Sequence, residues 1–172
     1  MRYVIRQKIF SFADKFTINN EDGRPMYDVV GKFFTLGDKL NIYDMDNNHL
    51  IYIEQKIFRL LAEYILYENN EMVARVKKQL SIIRPRLNID SIYGDFTIDG
   101  NVLRYNFDIK KNGNVVASIR KKLLSLTDVY TIDIDDSEDQ AFILSLVIVI
   151  DQIFHHNKGA SAGTSSSGSG SY

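Results

Sequence analysis

The chain is 172 residues long, with 21 basic against 22 acidic side chains, 45% apolar residues, two Pro, and neither Cys nor Trp. That composition is globular rather than disordered or collagen-like, and the length suits one folded domain with a sizeable core. The lack of Cys excludes a disulfide framework, a Cys-bound zinc or iron–sulfur centre and a thiol nucleophile, and a formal charge of −1 gives no global reason to expect nucleic-acid binding.

The N-terminal stretch Met1-Arg-Tyr-Val-Ile-Arg-Gln-Lys-Ile-Phe has no uninterrupted apolar run and no small-residue cleavage site, so it does not read as a secretory signal. Five segments then share one pattern: Lys, any residue, Phe or Leu, a variable residue, and an apolar one. They are Lys8-Ile-Phe-Ser-Phe, Lys32-Phe-Phe-Thr-Leu, Lys56-Ile-Phe-Arg-Leu, Lys78-Gln-Leu-Ser-Ile and Lys122-Leu-Leu-Ser-Leu. Their lysines step by 24, 24, 22 and 44 residues, the last being twice 22, and a degenerate sixth copy falls near Gly100-Asn-Val-Leu-Arg. Between copies lie the turn signals Asn20-Glu-Asp-Gly23, Asp44-Met-Asp-Asn-Asn48, Asn69-Asn70 and Asn112-Gly113-Asn114, each flanked by alternating apolar and polar residues, which is the hairpin signature. One period is therefore two strands and two turns, and six periods predict roughly twelve antiparallel strands. Propeller blades need about 40 residues each, so they are excluded. Strand alternation predicts the repeated Lys pointing outward beside inward Phe or Leu, an edge-protecting pattern rather than a ligand site.

The pattern changes after residue 135. Asp136-Ser-Glu-Asp-Gln leads into Ala141-Phe-Ile-Leu-Ser-Leu-Val-Ile-Val-Ile-Asp-Gln-Ile-Phe-His-His156. Ser137 with Gln140 fits a capping box, with acidic residues crowding the first turn, and predicts a helix over 137–156. From Ala141 to Ile150 it is apolar on every face, so protein or lipid must surround it. A membrane span needs about 20 such residues, and the run stops short of that at Asp151, which predicts a buried core helix and no transmembrane span. Twenty residues make a rod of about 30 Å, the length of a strand of eight or nine residues at about 3.3 Å each. Twelve strands closed on themselves leave room for such a rod. The expected fold is mainly β: a closed, roughly twelve-stranded antiparallel barrel around a central hydrophobic C-terminal α-helix, over residues 1–158. The remaining 159–172, only Gly, Ala, Ser, Thr and a final Tyr, is expected to be a flexible tail.

Three stretches carry a family resemblance: Arg2-Tyr-Val-Ile-Arg-Gln-Lys-Ile-Phe-Ser-Phe-Ala-Asp-Lys-Phe-Thr-Ile, Gly31-Lys-Phe-Phe-Thr-Leu-Gly-Asp-Lys-Leu, and Asp139-Gln-Ala-Phe-Ile-Leu-Ser-Leu-Val-Ile-Val-Ile-Asp. Together they resemble bacterial members of the LURP-one-related family, over about residues 1–156. That family is grouped in the tubby C-terminal-like superfamily with tubby and the phospholipid scramblases. The resemblance implies a twelve-stranded barrel around a central hydrophobic helix, in agreement with the repeat and the helix.

No HExxH, GxSxG, Walker A or Rossmann pattern is present, and no nucleophile–base constellation can be named, so neither an enzyme nor a cofactor is expected. His49 falls in a turn. His155 and His156 are adjacent at the helix end, where neighbours point about 100° apart and suit the helix dipole better than a shared metal. Asp44-Met-Asp46-Asn-Asn48 and Asp133-Ile-Asp135-Asp136-Ser137 start like calcium loops. They have His49 and Glu138 where Gly is required, and Gln55 and Leu144 where the bidentate Glu belongs, so both fail that geometry. Asp133, Asp135 and Asp136 are kept as a weak calcium candidate only because scramblases carry an acidic segment ahead of their last hydrophobic helix.

Charge is unevenly distributed. Residues 75–122 hold eleven basic and four acidic side chains, net +7, against −8 for the rest. Lys77, Lys78, Arg84, Arg86, Arg120, Lys121 and Lys122 form the candidate lipid-binding set, since a cation near an anionic membrane surface is attracted by about 1 kcal/mol. Tubby recognises phosphoinositide through basic residues, a motif that does not map onto this chain residue by residue. The plain alternative is an unevenly coloured, solvated barrel wall. Arg/aromatic interleaving is not concentrated in this segment, which disfavours nucleic acid as a partner. The expected function is a non-enzymatic binding or scaffold module, cytoplasmic or peripheral to a membrane, whose partner is anionic phospholipid at a membrane surface or a protein. The alternatives are a scramblase-like lipid translocator, which requires Ala141–Phe154 to leave the barrel, and an interaction module in stress or defence signalling, which only the plant relatives imply.

Overall fold

Alternating runs such as Lys39-Leu-Asn-Ile-Tyr-Asp put Leu40 and Ile42 on one face and their neighbours on the other, so each short run buries one side only as part of a sheet. The computed structural model describes residues 1–6, 15–32, 37–81, 86–122 and 129–156. Within them run β1 (Arg2–Arg6), β2 (Lys15–Asn20), β3 (Pro25–Lys32), β4 (Lys39–Asp44), β5 (His49–Gln55), β6 (Glu63–Glu68), β7 (Glu71–Gln79), β8 (Arg86–Ser91), β9 (Phe96–Asn101), β10 (Asn106–Lys111), β11 (Asn114–Lys122), β12 (Val129–Ile134) and the helix α1 (Gln140–Asp151). The Gly/Ser-rich stretch 159–172 lies outside the described residues.

The twelve strands form one antiparallel sheet in chain order, and β1 closes it onto β12 with Arg2 opposite Asp133 and Ile5 opposite Tyr130. The closure is not complete. Among the described residues no ladder joins β8 to β9, so the barrel is nearly closed and has one seam. Gly31 and Gly100 mark tight crossings. A Cβ on Gly31 would meet the Lys39 carbonyl oxygen of β4 at 2.0 Å, and one on Gly100 would meet the Asn106 carbonyl oxygen of β10 at 2.6 Å, so neither place has room for a side chain.

Every residue of α1 from Ala141 to Asp151 is buried, as are Gln152 to Phe154 beyond it. These side chains belong to the same core as Ile5, Ile18, Ile42, Ile53, Ile109 and Ile132 of the strands, so the sheet wraps around the helix except at the seam. Each fully buried Leu, Ile, Val or Phe contributes about 1.5–3 kcal/mol, and the helix therefore organises most of the core. It starts later than the sequence pattern predicts. Asp139, not Ser137, is the N-cap, its carboxylate accepting the Phe142 N–H at 2.7 Å. Ser137 is taken up in a turn on Asp135, donating its Oγ–H and N–H to Oδ1 at 2.6 and 2.9 Å. Gln140 does not complete a capping box either: it donates to the Asp135 and Glu138 carbonyls. At the other end α1 widens into a π-helical turn, Gln152–His156.

The barrel has two rims of different construction. Even strands pass to odd ones at the upper rim through tight polar turns. Asp44 Oδ1 accepts the N–H groups of Asp46 and Asn48 at 2.9 and 2.8 Å, and Asn47, Asn69, Asn70 and Asn112 take the left-handed backbone that Asn tolerates. Odd strands pass to even ones at the lower rim. Lys32 and Lys122 end β3 and β11, Lys78 is next to last in β7, Lys56 follows β5, and Gly100 is next to last in β9. The repeat thus measures the return of the chain to the lower rim. In the copies at Lys56 and Lys78 the described apolar positions, Phe58, Leu60 and Leu80, do not point inward as strand alternation predicts. In the copy starting at Lys56 the strand has already ended, Phe58 turns at φ +58°, and Phe58 and Leu60 are 91% and 95% exposed. Leu80, just past β7, is 81% exposed. The copy at Lys8 and the apolar parts of those at Lys32 and Lys122 lie outside the described residues.

Candidate lipid-facing rim

Because sheet order follows chain order, the basic segment 75–122 is one continuous sector of wall, β7 to β11, with the seam inside it. Most of its cations on the wall are engaged. Arg120 pairs with Asp108 at 2.5 Å and donates to the Phe107 and Ile119 carbonyls at 2.7 and 2.9 Å. Partial burial works against the charge of Asp108, but Ser118 and Arg120 outweigh it and hold the carboxyl below the usual carboxylate range. Lys110 pairs with Asp99 and Lys111 with Glu138, both at 2.8 Å, and Arg75 shares the buried Glu63 with Arg59 at 3.7 and 3.6 Å. Lys121 is half-buried on β11. Arg84 and the Lys122 side chain lie outside the described residues.

Lys77, Lys78, Arg86 and Arg104 differ from these. Among the described residues none has an acidic partner at ion-pair distance. Lys77 and Lys78 stand near the lower end of β7, opposite Asn88 and Leu87, and Arg86 begins β8 opposite Gln79. Arg104 sits across the seam in the 3-10 turn Val102–Arg104 between β9 and β10. Lys78 Nζ lies 5.6 Å from the ring centre of Phe154, a cation–π contact at the end of the helix. The same rim carries the exposed Phe58, Leu60 and Leu80, with Ile57 and Leu103 partly exposed. Of the predicted set the structure therefore gathers Lys77, Lys78 and Arg86 and ties Arg120 into the wall. The apolar loop tips escaped the sequence reading, although a repeat one hairpin long must always return to the same rim.

At the lower end of the seam a slot of about 230 Å³ opens between the two unpaired edges, lined by Gln79, Arg86, Leu87, Thr97, Ile98, Val102 and Phe154. At the upper end the seam is pinned. Tyr93, in the β8–β9 link, packs edge-on against Phe142 at 4.8 Å and donates its hydroxyl to Glu68, a bond that, with burial, pushes the phenol up to about 12.

The acidic candidates are committed elsewhere. Asp133 binds the Arg2 guanidinium at 2.5 Å, Asp135 closes the turn on Ser137, and Asp136 meets the Met1 amino group. Asp44 closes the β4–β5 turn, and Asn48 holds its carboxyl below the usual range. His49 Nε2 lies 3.0 Å from Asn41 Oδ1, and the side chains of His155 and His156 lie outside the described residues. Among the described residues no three His, Asp or Glu are grouped to hold a metal, and no helix is long and apolar enough to cross a membrane.

A nearly closed antiparallel barrel of twelve strands filled by one C-terminal helix is a tubby-like barrel. The chain belongs to the LURP-one-related family, whose sequence pattern matches residues 1–151. It is 33% identical over 157 residues to the uncharacterized protein YxjI of Bacillus subtilis (strain 168), a match covering 91% of this chain and 96% of that relative. Its fold is similar to the X-ray structure of a protein from Arabidopsis thaliana, with a TM-score of 0.64 and 18% identity over 88% of this chain and 89% of that one. At that identity the likeness is one of fold.

Proposed function

We propose that this barrel is a non-enzymatic binding module that docks on anionic phospholipid surfaces with its lower rim. One observation carries the reading: exposed Phe58, Leu60 and Leu80 share a rim with Lys77, Lys78, Arg86 and Arg104, cations without acidic partners among the described residues. Four cations at about 1 kcal/mol each supply about 4 kcal/mol, which corresponds to a dissociation constant near 1 mM. Charge alone thus gives a weak, salt-sensitive contact. Burying an apolar side chain adds about 1.5–3 kcal/mol, so insertion of the three tips carries the affinity to about 1 μM or tighter. Vesicle flotation at low and high salt tests this. Flotation is expected with vesicles containing anionic lipid and not with neutral ones, declining as salt rises. The Phe58→Ser/Leu60→Ser/Leu80→Ser variant should lose the binding that survives high salt. No flotation on anionic vesicles at low salt overturns the reading.

A further inference from the structure

We infer that the slot at the lower end of the β8–β9 seam binds a single acyl chain with an anionic headgroup. The inference deepens the rim-docking reading and rests on it for the orientation that presents the slot to a bilayer. Three features of the slot specify the occupant. Its inner walls are apolar, with half-buried Leu87 and Ile98 from the two edges and buried Val102 and Phe154 behind them, while Gln79, Arg86 and Thr97 give it a polar mouth. Its volume of about 230 Å³, at about 30 Å³ per water-sized group, accommodates roughly seven or eight methylenes. Cations stand beside it: Arg86 lines the slot, and the Lys78 ammonium lies over the ring of Phe154.

An extended peptide fits less well, although two unpaired strand edges face each other there. Strands β8 and β9 run in opposite directions, so one inserted strand would be antiparallel to one edge and parallel to the other, in a sheet that is antiparallel throughout. An acyl chain makes no demand on direction. The unpaired seam therefore serves as a side opening into the core: its upper end is held by Tyr93 on Glu68 and Phe142, and its lower end leads to the π-helical turn that carries Phe154.

Octyl phosphate, kept below its micellar concentration and titrated calorimetrically into the full chain, tests this. Saturable binding is expected, with octanol and inorganic phosphate each weaker by about tenfold or more, since each lacks one half of the recognition. Ile98→Trp fills the slot and introduces the chain's first Trp, and should abolish the signal. Arg86→Gln, at an exposed side chain, should weaken binding about tenfold, and it keeps the test decisive if the Trp variant fails a thermal melt. Non-saturable binding, equal binding of inorganic phosphate, or unchanged binding in a folded Ile98→Trp or in Arg86→Gln overturns the slot. Flotation of the parent chain separates the two proposals. Flotation without octyl phosphate binding removes the slot and leaves the docking rim, and octyl phosphate binding without flotation supports the slot and removes the docking rim.

Discussion

The two rims are crossed by the same chain with the same period, yet they are built differently. The upper rim turns the chain through short polar segments. Several of its acidic residues serve turns, caps and ion pairs: Asp44 on Asn48, Asp135 on Ser137, Asp139 on Phe142, and Glu138 on Lys111. At the lower rim, Phe58, Leu60 and Leu80 stand in solvent beside cations for which the described residues supply no acid. A turn that only reverses the chain does best with Asn, Asp and Gly, which bond their own backbone or accept a left-handed conformation. Among the described residues the three most exposed of the large apolar side chains, Phe58, Leu60 and Leu80, all lie on the lower rim, where they do nothing for chain reversal, while the upper rim exposes Ile92 (70%) and, about half, Met45, Met72 and Val115.

The largest expected effect falls on what both rims share. Val147 lies on α1, fully enclosed, and Val147→Asp buries a charge with no partner. The variant should show no cooperative thermal transition; a folded, soluble Val147→Asp would mean that the helix does not hold the two rims together.

Next come the two anchors of the helix. At its lower end the Tyr105 hydroxyl donates to Asp151 at 2.6 Å, and the Asp151 side chain is 2% exposed. Tyr105→Phe should cost about 1–3 kcal/mol, because it strips a bond from a buried carboxylate. At the upper end Asp139→Ala removes the N-cap and should cost about 0.5–2 kcal/mol. Denaturant midpoints at constant slope check both, and a Tyr105→Phe variant as stable as the parent would show that the lower anchor is dispensable.

Smaller and more diagnostic is the contrast between tips. Phe58→Ser at the lower rim and Met45→Ser at the upper rim should each leave stability within about 0.5 kcal/mol, as surface changes do. Only Phe58→Ser should reduce flotation on anionic vesicles at high salt. Equal effects from the two would erase the functional difference between the rims.

The smallest effect separates wall cations from rim cations. The folded Asp108 carboxyl titrates below its unfolded range, so its contribution is complete above the unfolded value, near pH 3.9, and is lost as pH falls through the lower folded value. Asp108→Asn should therefore flatten the acid side of a plot of Tm against pH, while Lys77→Gln leaves it unchanged. A matching change in Lys77→Gln would place that cation in the wall's ion-pair network.

By itself the sequence determined the architecture. A 22–24-residue hairpin period and an all-apolar helix too short for a bilayer allow few arrangements other than strands around that helix. Local signals of this kind are legible because turn chemistry and burial act residue by residue. Three things were decided only in the folded molecule. The helix start moved to Asp139 because Ser137 found a nearer partner in Asp135, a competition between two short-range bonds that spacing cannot rank. The barrel stopped short of closing at β8 and β9, which depends on how twelve strands share one circumference. The net +7 segment was divided into cations neutralised on the wall by Asp99, Asp108 and Glu138 and cations left at the rim, because partners such as Glu138 for Lys111 come from elsewhere in the chain. Net charge is a property of a segment, but the pairing that cancels it depends on distances that only the tertiary structure sets.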